Sequence, residues 1–166
     1  MSLSTDLLDT LSPENKIFVA FSGGLDSTAL LFLCNKALKE KKIRNLKAIH
    51  INHNLSKNSD NWQQHCESFC RSNKIEFESF IVEVSKNRSS IESQARQARY
   101  KIFESLLDEN DQILLAHHRD DVFETLLLRL FRGTGGAGRR GFKDQSSVGT
   151  GEIRRPCLNS STAELK

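Results

Sequence analysis

Residues 22–27 read SGGLDS, inside the longer segment AFSGGLDSTALLFL. An apolar run ends at Phe21, Gly23 and Gly24 follow, and an apolar helical pattern begins near Asp26. Adjacent glycines let backbone N–H groups close on an anion, and a helix starting there adds unpaired N–H groups and a positive dipole end. Ser22, Ser27 and Thr28 add hydroxyl donors. This arrangement suits phosphate. It is neither GxxxxGK[ST], since no lysine follows, nor GxGxxG. Asp26 stands where phosphates would approach, and a carboxylate repels phosphate unless a cation lies between them. The segment therefore implies Mg²⁺, held in part by Asp26. The plainer reading is a tight turn followed by a helix-end acid. The full strand–SGGLDS–helix context favours the phosphate cradle.

Three more polar clusters have spacing that suits chemistry. His50 and His53 fall in AIHINHNLSKNSD (48–60). They either order a nucleotide or substrate loop or are hydrogen-bonded histidines at a strand end. With no third ligand nearby in sequence they are not read as a metal site. Glu92, Arg96 and Arg99 share one face of a helix. A surface pair between Glu92 and Arg96 would contribute under about 1 kcal/mol. A guanidinium also fits phosphate and developing negative charge, and at least one of Arg96 and Arg99 is assigned that role. In LAHHRDDVFETLLLRLFRGTG, His117 ends a strand, and Asp121 and Glu124 open a helix. Acids are favoured at a helix N-terminus in any case. This turn, however, lies at the same end of the sheet as SGGLDS. Asp121 is thus the candidate for a second carboxylate that binds Mg²⁺ or substrate, with His117 and Glu124 beside it; Asp120 is expected to point elsewhere.

The elements that must position these residues alternate. Strands are predicted at 16–21, 46–51, 77–84 and 112–117, and helices at 26–42, 61–74, 91–107 and 120–132. The third helix carries Ile91, Ala95, Ala98, Ile102 and Leu106 at helical spacing. The fourth carries Phe123, Leu126, Leu127 and Leu130, and each set is expected to face a core. Alternation of this kind predicts an α/β fold, a doubly wound and mostly parallel five-stranded sheet with helices on both faces. In such sheets ligands sit at the carboxyl ends of the strands, where the clusters at 22–24, 50–53 and 117–118 fall. GEIRRPCLN (151–159) supplies the fifth strand, and STAELK opens a helix capped at Ser161 or Thr162.

Seven of the nine glycines lie at 133–151, which reads as a flexible, basic, glycine-rich loop. Between 129 and 155 seven basic residues stand against two acidic ones, so this stretch carries a net +5 and the rest of the chain −2, within an overall +3. Arg132, Arg139, Arg140 and Lys143 are the candidates for holding an RNA backbone electrostatically. The chain has 166 residues, which suits one domain, with 37% hydrophobic and 27% charged residues. No apolar stretch is long enough to span a bilayer, and the N-terminus is not a secretory signal, so no membrane partner is expected and the cytoplasm is the default compartment. Cys34, Cys66, Cys70 and Cys157 form no CxxC pair, and Cys66 and Cys70 read as small residues on one helix face.

SGGLDS resembles the PP-loop, SGGxDS, of the ATP pyrophosphatase group. Its members cleave ATP to AMP and pyrophosphate and leave an adenylated intermediate. Three further segments resemble the tRNA(Ile)-lysidine synthetase family: 48–60 its HxNHxLR-like segment, 92–100 its ExxARxxRY signature, and 116–125 its AHHxxDxxET segment. RRPCLNSSTAELK resembles its RPLLxxxxxEL stretch, with Cys157 at a usual leucine. The resemblance covers residues 16–166. It implies an N-terminal adenylation domain in which Ser22, Gly23, Gly24, Leu25, Asp26 and Ser27 bind ATP. Asp26, Arg96, Arg99 and Asp121 are its catalytic candidates, and Asp26 and Asp121 its Mg²⁺ ligands. The implied substrates are tRNA(Ile) with a wobble cytidine, free L-lysine and ATP, and the family's tRNA-binding domains lie downstream of such a segment. Oligomeric state is open, with a homodimer among the options. Two alternatives stand beside this reading. A 2-thiolating PP-loop tRNA enzyme would need a thiol pair or iron–sulfur site, and a non-catalytic ATP-binding module would need neither the arginines nor a basic loop.

Overall fold

The structure is a computed structural model and describes residues 11–56, 58–83, 91–131 and 143–165. The alternating pattern folds as β1 (Ile17–Ala20), α1 (Leu25–Lys39), β2 (Lys47–Asn52), α2 (Ser59–Asn73), β3 (Glu76–Ile81), α3 (Ile91–Leu106), β4 (Gln112–Leu114), α4 (Arg119–Phe131), β5 (Gln145–Val148), β6 (Gly151–Arg154) and α5 (Thr162–Leu165). The sheet order is β3-β2-β1-β4-β6-β5. All neighbours are parallel except β5 and β6, which form an antiparallel hairpin.

The sheet has six strands, one more than expected. The extra strand, QSSV, lies inside the stretch read as a glycine-rich loop. Val148 pairs with Gly151, so Gly149 and Thr150 make a two-residue turn, with Gly149 at φ +56. A two-residue hairpin turn with glycine first is a known solution for twisted strands. Its polar strand, Gln-Ser-Ser, lacks the apolar alternation that marks a strand by sequence. Residues 132–142 of the same stretch, including Arg132, Arg139 and Arg140, lie outside the described residues.

Successive side chains of a strand point to opposite faces, which divides the core in two. On one face Ile17, Val19, Ala48 and Leu114 pack with Leu30, Leu31, Cys34 and Ala37 of α1 and Cys66 and Cys70 of α2. On the other, Phe18, Ile49, Ile113, Leu115 and Ile153 pack with Phe103 of α3 and Leu107. All four cysteines are buried and free, with Cys66 and Cys70 on one face of α2 as expected. Among the described residues no helix is long and apolar enough to cross a membrane.

Two helix faces differ from expectation. In α3 the fully buried residue is Phe103, at 0% exposure, while Ile91 is 41% exposed. Ala95, Ala98, Ile102 and Leu106 of the expected stripe are half-buried, and Phe103, absent from it, is the buried residue, with Tyr100 and Leu106 partly buried beside it. A phenyl ring has the most area to remove from water, which puts Phe103 innermost. In α4, Phe123 is 63% exposed, Phe131 85%, and Leu127 also exposed. Helical spacing reports an apolar face, not what covers it. At the chain's end the helix cap is Ser161, whose N–H and Oγ both donate to Glu164 Oε2, at 2.7 and 2.8 Å.

These faces are separable by mutation. Phe103→Ala is expected to lower unfolding free energy by about 3–5 kcal/mol, and Ile91→Ala by less than ~0.5 kcal/mol. Urea melts of both variants check this; equal losses would place the α3 core face where spacing had put it.

Candidate functional site

The strand order reverses between β1 and β4. From β1 the chain moves outward through β2 and β3, then returns to lay β4 on β1's other side. Loops leaving the carboxyl ends of β1 and β4 diverge and open a crevice, the preferred ligand position in such sheets. A cavity of about 700 Å³ lies there. Its lining includes Ser22, Asp26, His53, Trp62, Arg99 and His117.

The loop after β1 is built on its own backbone. Gly23 adopts φ +79, which a side chain strongly disfavours. A Cβ there would lie 2.7 Å from Cys66 Sγ and 3.2 Å from Trp62 Nε1. Gly24 is the N-cap of α1 and has no side chain to cap with. Its N–H donates to Ser22 Oγ at 3.3 Å, and its carbonyl accepts from Ser27 Oγ and Thr28 Oγ1 at 3.0 and 2.8 Å. Ser22 and Ser27 hydroxyls lie 3.0 Å apart. Leu25, the first residue of α1, is exposed. With the helix N-terminus uncapped by side chains, its first N–H groups remain for a ligand.

Asp26 and Asp121 meet at one histidine that sequence reasoning had not selected. His118, buried at the start of α4, has Nε2 3.5 Å from Asp26 Oδ2 and 3.4 Å from Asp121 Oδ2. Asp121 Oδ2 also accepts the His118 backbone N–H at 2.9 Å, as an acid at the third helical position commonly does. The helix-end role and the shared-site position thus coincide in one carboxylate. Asp120 lies at the other ring edge, 3.8 Å from Nδ1, and Glu124 is exposed farther along α4. Asp26 Oδ1 is buried and makes no hydrogen bond. That atom, beside a second carboxylate, fits Mg²⁺, which typically takes one or two protein carboxylates and completes its shell with water and phosphate oxygens. A closed protein cage is not present: among the described residues no group of three or more His, Cys, Asp or Glu forms a metal site.

The opposite wall is cationic. Arg99 lines the cavity, and burial, then the charges of Arg96 and Arg155, lowers its pKa, with Tyr100 opposing. Its Nε is buried without a hydrogen bond, as is His53 Nδ1. Burial, Arg99 and His50 lower the pKa of His53. Burial first, then Arg155, Arg99 and Arg96 with Asp121 opposing, pushes His117 down to about 4. Arg96 turns away from the cavity: it donates to Tyr100 Oη at 2.9 Å and lies over the ring at 4.8 Å. Tyr100 also accepts from Arg155 at 3.3 Å. Arg155 is buried and donates to the Lys143 carbonyl at 2.7 Å. It joins α3 to the start of the β5–β6 hairpin, and its RP context gave no spacing clue to this.

His50 takes the hydrogen-bonded strand-end arrangement, its Nδ1 2.8 Å from the Phe21 carbonyl. Asn52, also buried, ties the end of β2 to α2 through Asp60 and Gln63 at 3.3 and 3.0 Å. The cavity thus has a carboxylate wall, a guanidinium wall and a glycine loop between them. A ligand with a polyanionic end and a bridging cation matches all three.

The family model described as PP-loop domain matches residues 2–166. The chain belongs to this family. Curated relatives of this PP-loop domain include the tRNA(Ile)-lysidine synthase of Legionella pneumophila strain Lens, 43% identical over 164 residues. Another is the protein of the same name from Pseudomonas aeruginosa, 41% identical over 167 residues. Each match covers 99% of this chain and 37% or 38% of the relative, so the chain spans little over a third of their length. Among solved structures, the U34-tRNA thiolase NcsA of Methanococcus maripaludis aligns with TM-score 0.75 at 19% identity, covering 98% of this chain and 59% of that one. The FMN adenylyltransferase of Candida glabrata aligns with TM-score 0.57 at 16% identity, covering 98% and 52%. At these identities the structures support the fold alone.

The cationic wall of the PP-loop domain makes a pH prediction. His117 titrates near 4 when folded, against an ordinary 6.5. The unfolded chain then binds more protons between those values, so stability should be full above about pH 6.5 and fall as pH drops toward 4. Ring NMR of His117 should give a midpoint near 4, and His117→Gln should flatten the stability slope across that window. A midpoint near 6.5 would contradict the buried, guanidinium-flanked placement.

Proposed function

We propose that this PP-loop domain binds Mg·ATP across residues 22–27 and activates a tRNA cytidine for joining to lysine. The observation that carries the reading is the crevice beside the glycine loop that Asp26 and Arg99 line, with Asp121 held next to Asp26 at the His118 ring. The relatives' shared name, tRNA(Ile)-lysidine synthase, supplies the substrate class.

The C2 oxygen of cytosine is a poor leaving group, so direct amine attack at C2 stalls. In the proposed first step the cytidine O2 attacks the α-phosphorus of ATP. A new P–O bond forms, the bond to the β-phosphate oxygen breaks, and pyrophosphate departs into the Ser22–Ser27 loop. Arg99 faces the developing charge, a role for which a fixed guanidinium is suited. Arg96, held on Tyr100, acts through that ring and through its charge on Arg99. Asp26 and Asp121 would hold Mg²⁺, which neutralises phosphate charge when bound. In the second step the neutral amine of lysine attacks C2, the C2–O bond breaks, and AMP leaves with that oxygen. His117, neutral at physiological pH, adds no further positive charge beside Arg99. The cytidine must leave its stack to reach the crevice.

Lys143 is exposed at the edge of the β5–β6 hairpin, and with Arg132, Arg139 and Arg140 it is proposed to meet the RNA backbone. tRNA(Ile) with a wobble cytidine and free L-lysine are the proposed substrates. A sulfur-transfer reading fits the cysteines less well. Burial raises Cys66 to about 11 and Cys70 to about 12, unlike a thiol poised to react.

Asp26→Ala in the full-length protein should reduce AMP formation from ATP and tRNA by about 100-fold or more. Labelled lysine should enter the RNA only with the wild-type protein. AMP formation at the wild-type rate by the variant would remove Asp26 from the reaction, and label-free RNA with the wild type would remove lysine.

A further inference from the structure

The phosphate loop is braced from outside by a residue that no motif includes. Trp62, in the first turn of α2, donates its indole N–H to the Ser22 carbonyl at 2.5 Å, across 40 residues of sequence. It is the chain's one tryptophan and is 49% exposed. Burial explains Cys66 and Cys70 on the same helix, both at 0%. It does not explain an indole left half in solvent with its N–H engaged on a loop carbonyl.

We infer that Trp62 is a positioning residue for the phosphate loop, whose indole N–H clamps the Ser22 carbonyl and so fixes the peptide entering Gly23. A trans peptide is planar, with C=O and N–H on opposite edges, so holding the Ser22 carbonyl also sets the direction of the Gly23 amide. Without a brace that peptide is the loop's softest point, because glycine at φ +79 readily moves to other conformations. Close approach is possible because Gly23 has no Cβ: one would sit 3.2 and 3.3 Å from Trp62 Nε1 and Cε2. The brace is itself held. Trp62 N–H bonds the Asn58 carbonyl at 3.0 Å, and Asn52 fixes the same turn through Asp60 and Gln63. His65 stacks on the indole with ring centres 5.5 Å apart. Trp62 also lines the cavity, so its emission senses an occupant.

This inference rests on the loop's binding of the ATP phosphates, and the test separates the two ideas. ATP and adenosine are titrated with Mg²⁺ into the wild-type chain, Trp62→Phe, and a chain with benzothienylalanine at 62. That isostere keeps the fused ring and loses only the N–H donor. Wild-type tryptophan emission should change with ATP. Both variants should bind ATP about tenfold more weakly, the scale of one hydrogen bond. Adenosine affinity and the circular dichroism of the isostere should stay as in wild type. ATP binding that is unchanged in both variants overturns the clamp alone. A loss in Trp62→Phe without a loss in the isostere also overturns it, since ring packing would then be the cause. A wild-type chain that bound no ATP would sink the phosphate-loop reading and the clamp with it.

Discussion

The return of the chain to β1 after β3 is the constraint on which the site depends. Parallel pairing puts the carboxyl ends of β1, β2 and β4 on one edge of the sheet, and the reversal of direction between β1 and β4 parts the loops that follow them. Had β4 added beyond β3, the loop at 22–27 and the helix start at 118–121 would lie three strands apart. With the observed order, Asp26 and Asp121 both reach Nε2 of one imidazole, although they lie 95 positions apart in sequence.

The crevice gathers several of the buried polar atoms that lack a hydrogen bond among the described residues. Buried side-chain atoms are nearly always hydrogen-bonded, yet Asp26 Oδ1, His53 Nδ1 and Arg99 Nε are not, and all three belong to residues lining this cavity. Each such atom costs about 1–3 kcal/mol, more if charged, in a fold whose whole stability is of order 5–15 kcal/mol. Arg96, Arg99 and Arg155 add mutual repulsion. Polar atoms of both signs concentrated in one place suit a charged ligand, whose polar groups could pair with both walls.

Much of this was legible in the sequence, for identifiable reasons. The four parallel strands and their helices followed from apolar periodicity, and the loop from Gly23, Gly24 and Asp26. Less visible were features set by tertiary contact. QSSV carries no apolar alternation, and its strand exists because the Gly149–Thr150 turn folds it onto β6. The α3 face is fixed by Phe103, which helical spacing could not rank above Ile102. His118 was passed over for its neighbour His117 because nothing in HHRDD says which ring turns inward to Asp26. Trp62 acts through a hydrogen bond to a backbone carbonyl, and Arg155 through bonds to a carbonyl and to the Ser146 and Tyr100 hydroxyls, and such bonds leave no periodic trace. The apolar stripe of α4 was legible as a stripe, but the exposure of its Phe123 and Leu127 was not.

The two faces of the sheet divide the labour of the site. The face packed by α1 and α2 supplies geometry: the glycine turn, the free helix N-terminus, and Trp62 and Cys66 pressed against Gly23. The face packed by α3 supplies charge, with Arg99, Tyr100 and Arg155 set above Phe103 and Ile153. The two meet at the crevice, which Asp26 and Trp62 line from one side and Arg99 from the other. Changes in the first core should therefore disturb where phosphates are held, and changes in the second how strongly positive charge is presented to them. Because alternate residues of β1 point to each face, Phe18 and Val19 belong to different halves of this division despite being adjacent in the chain.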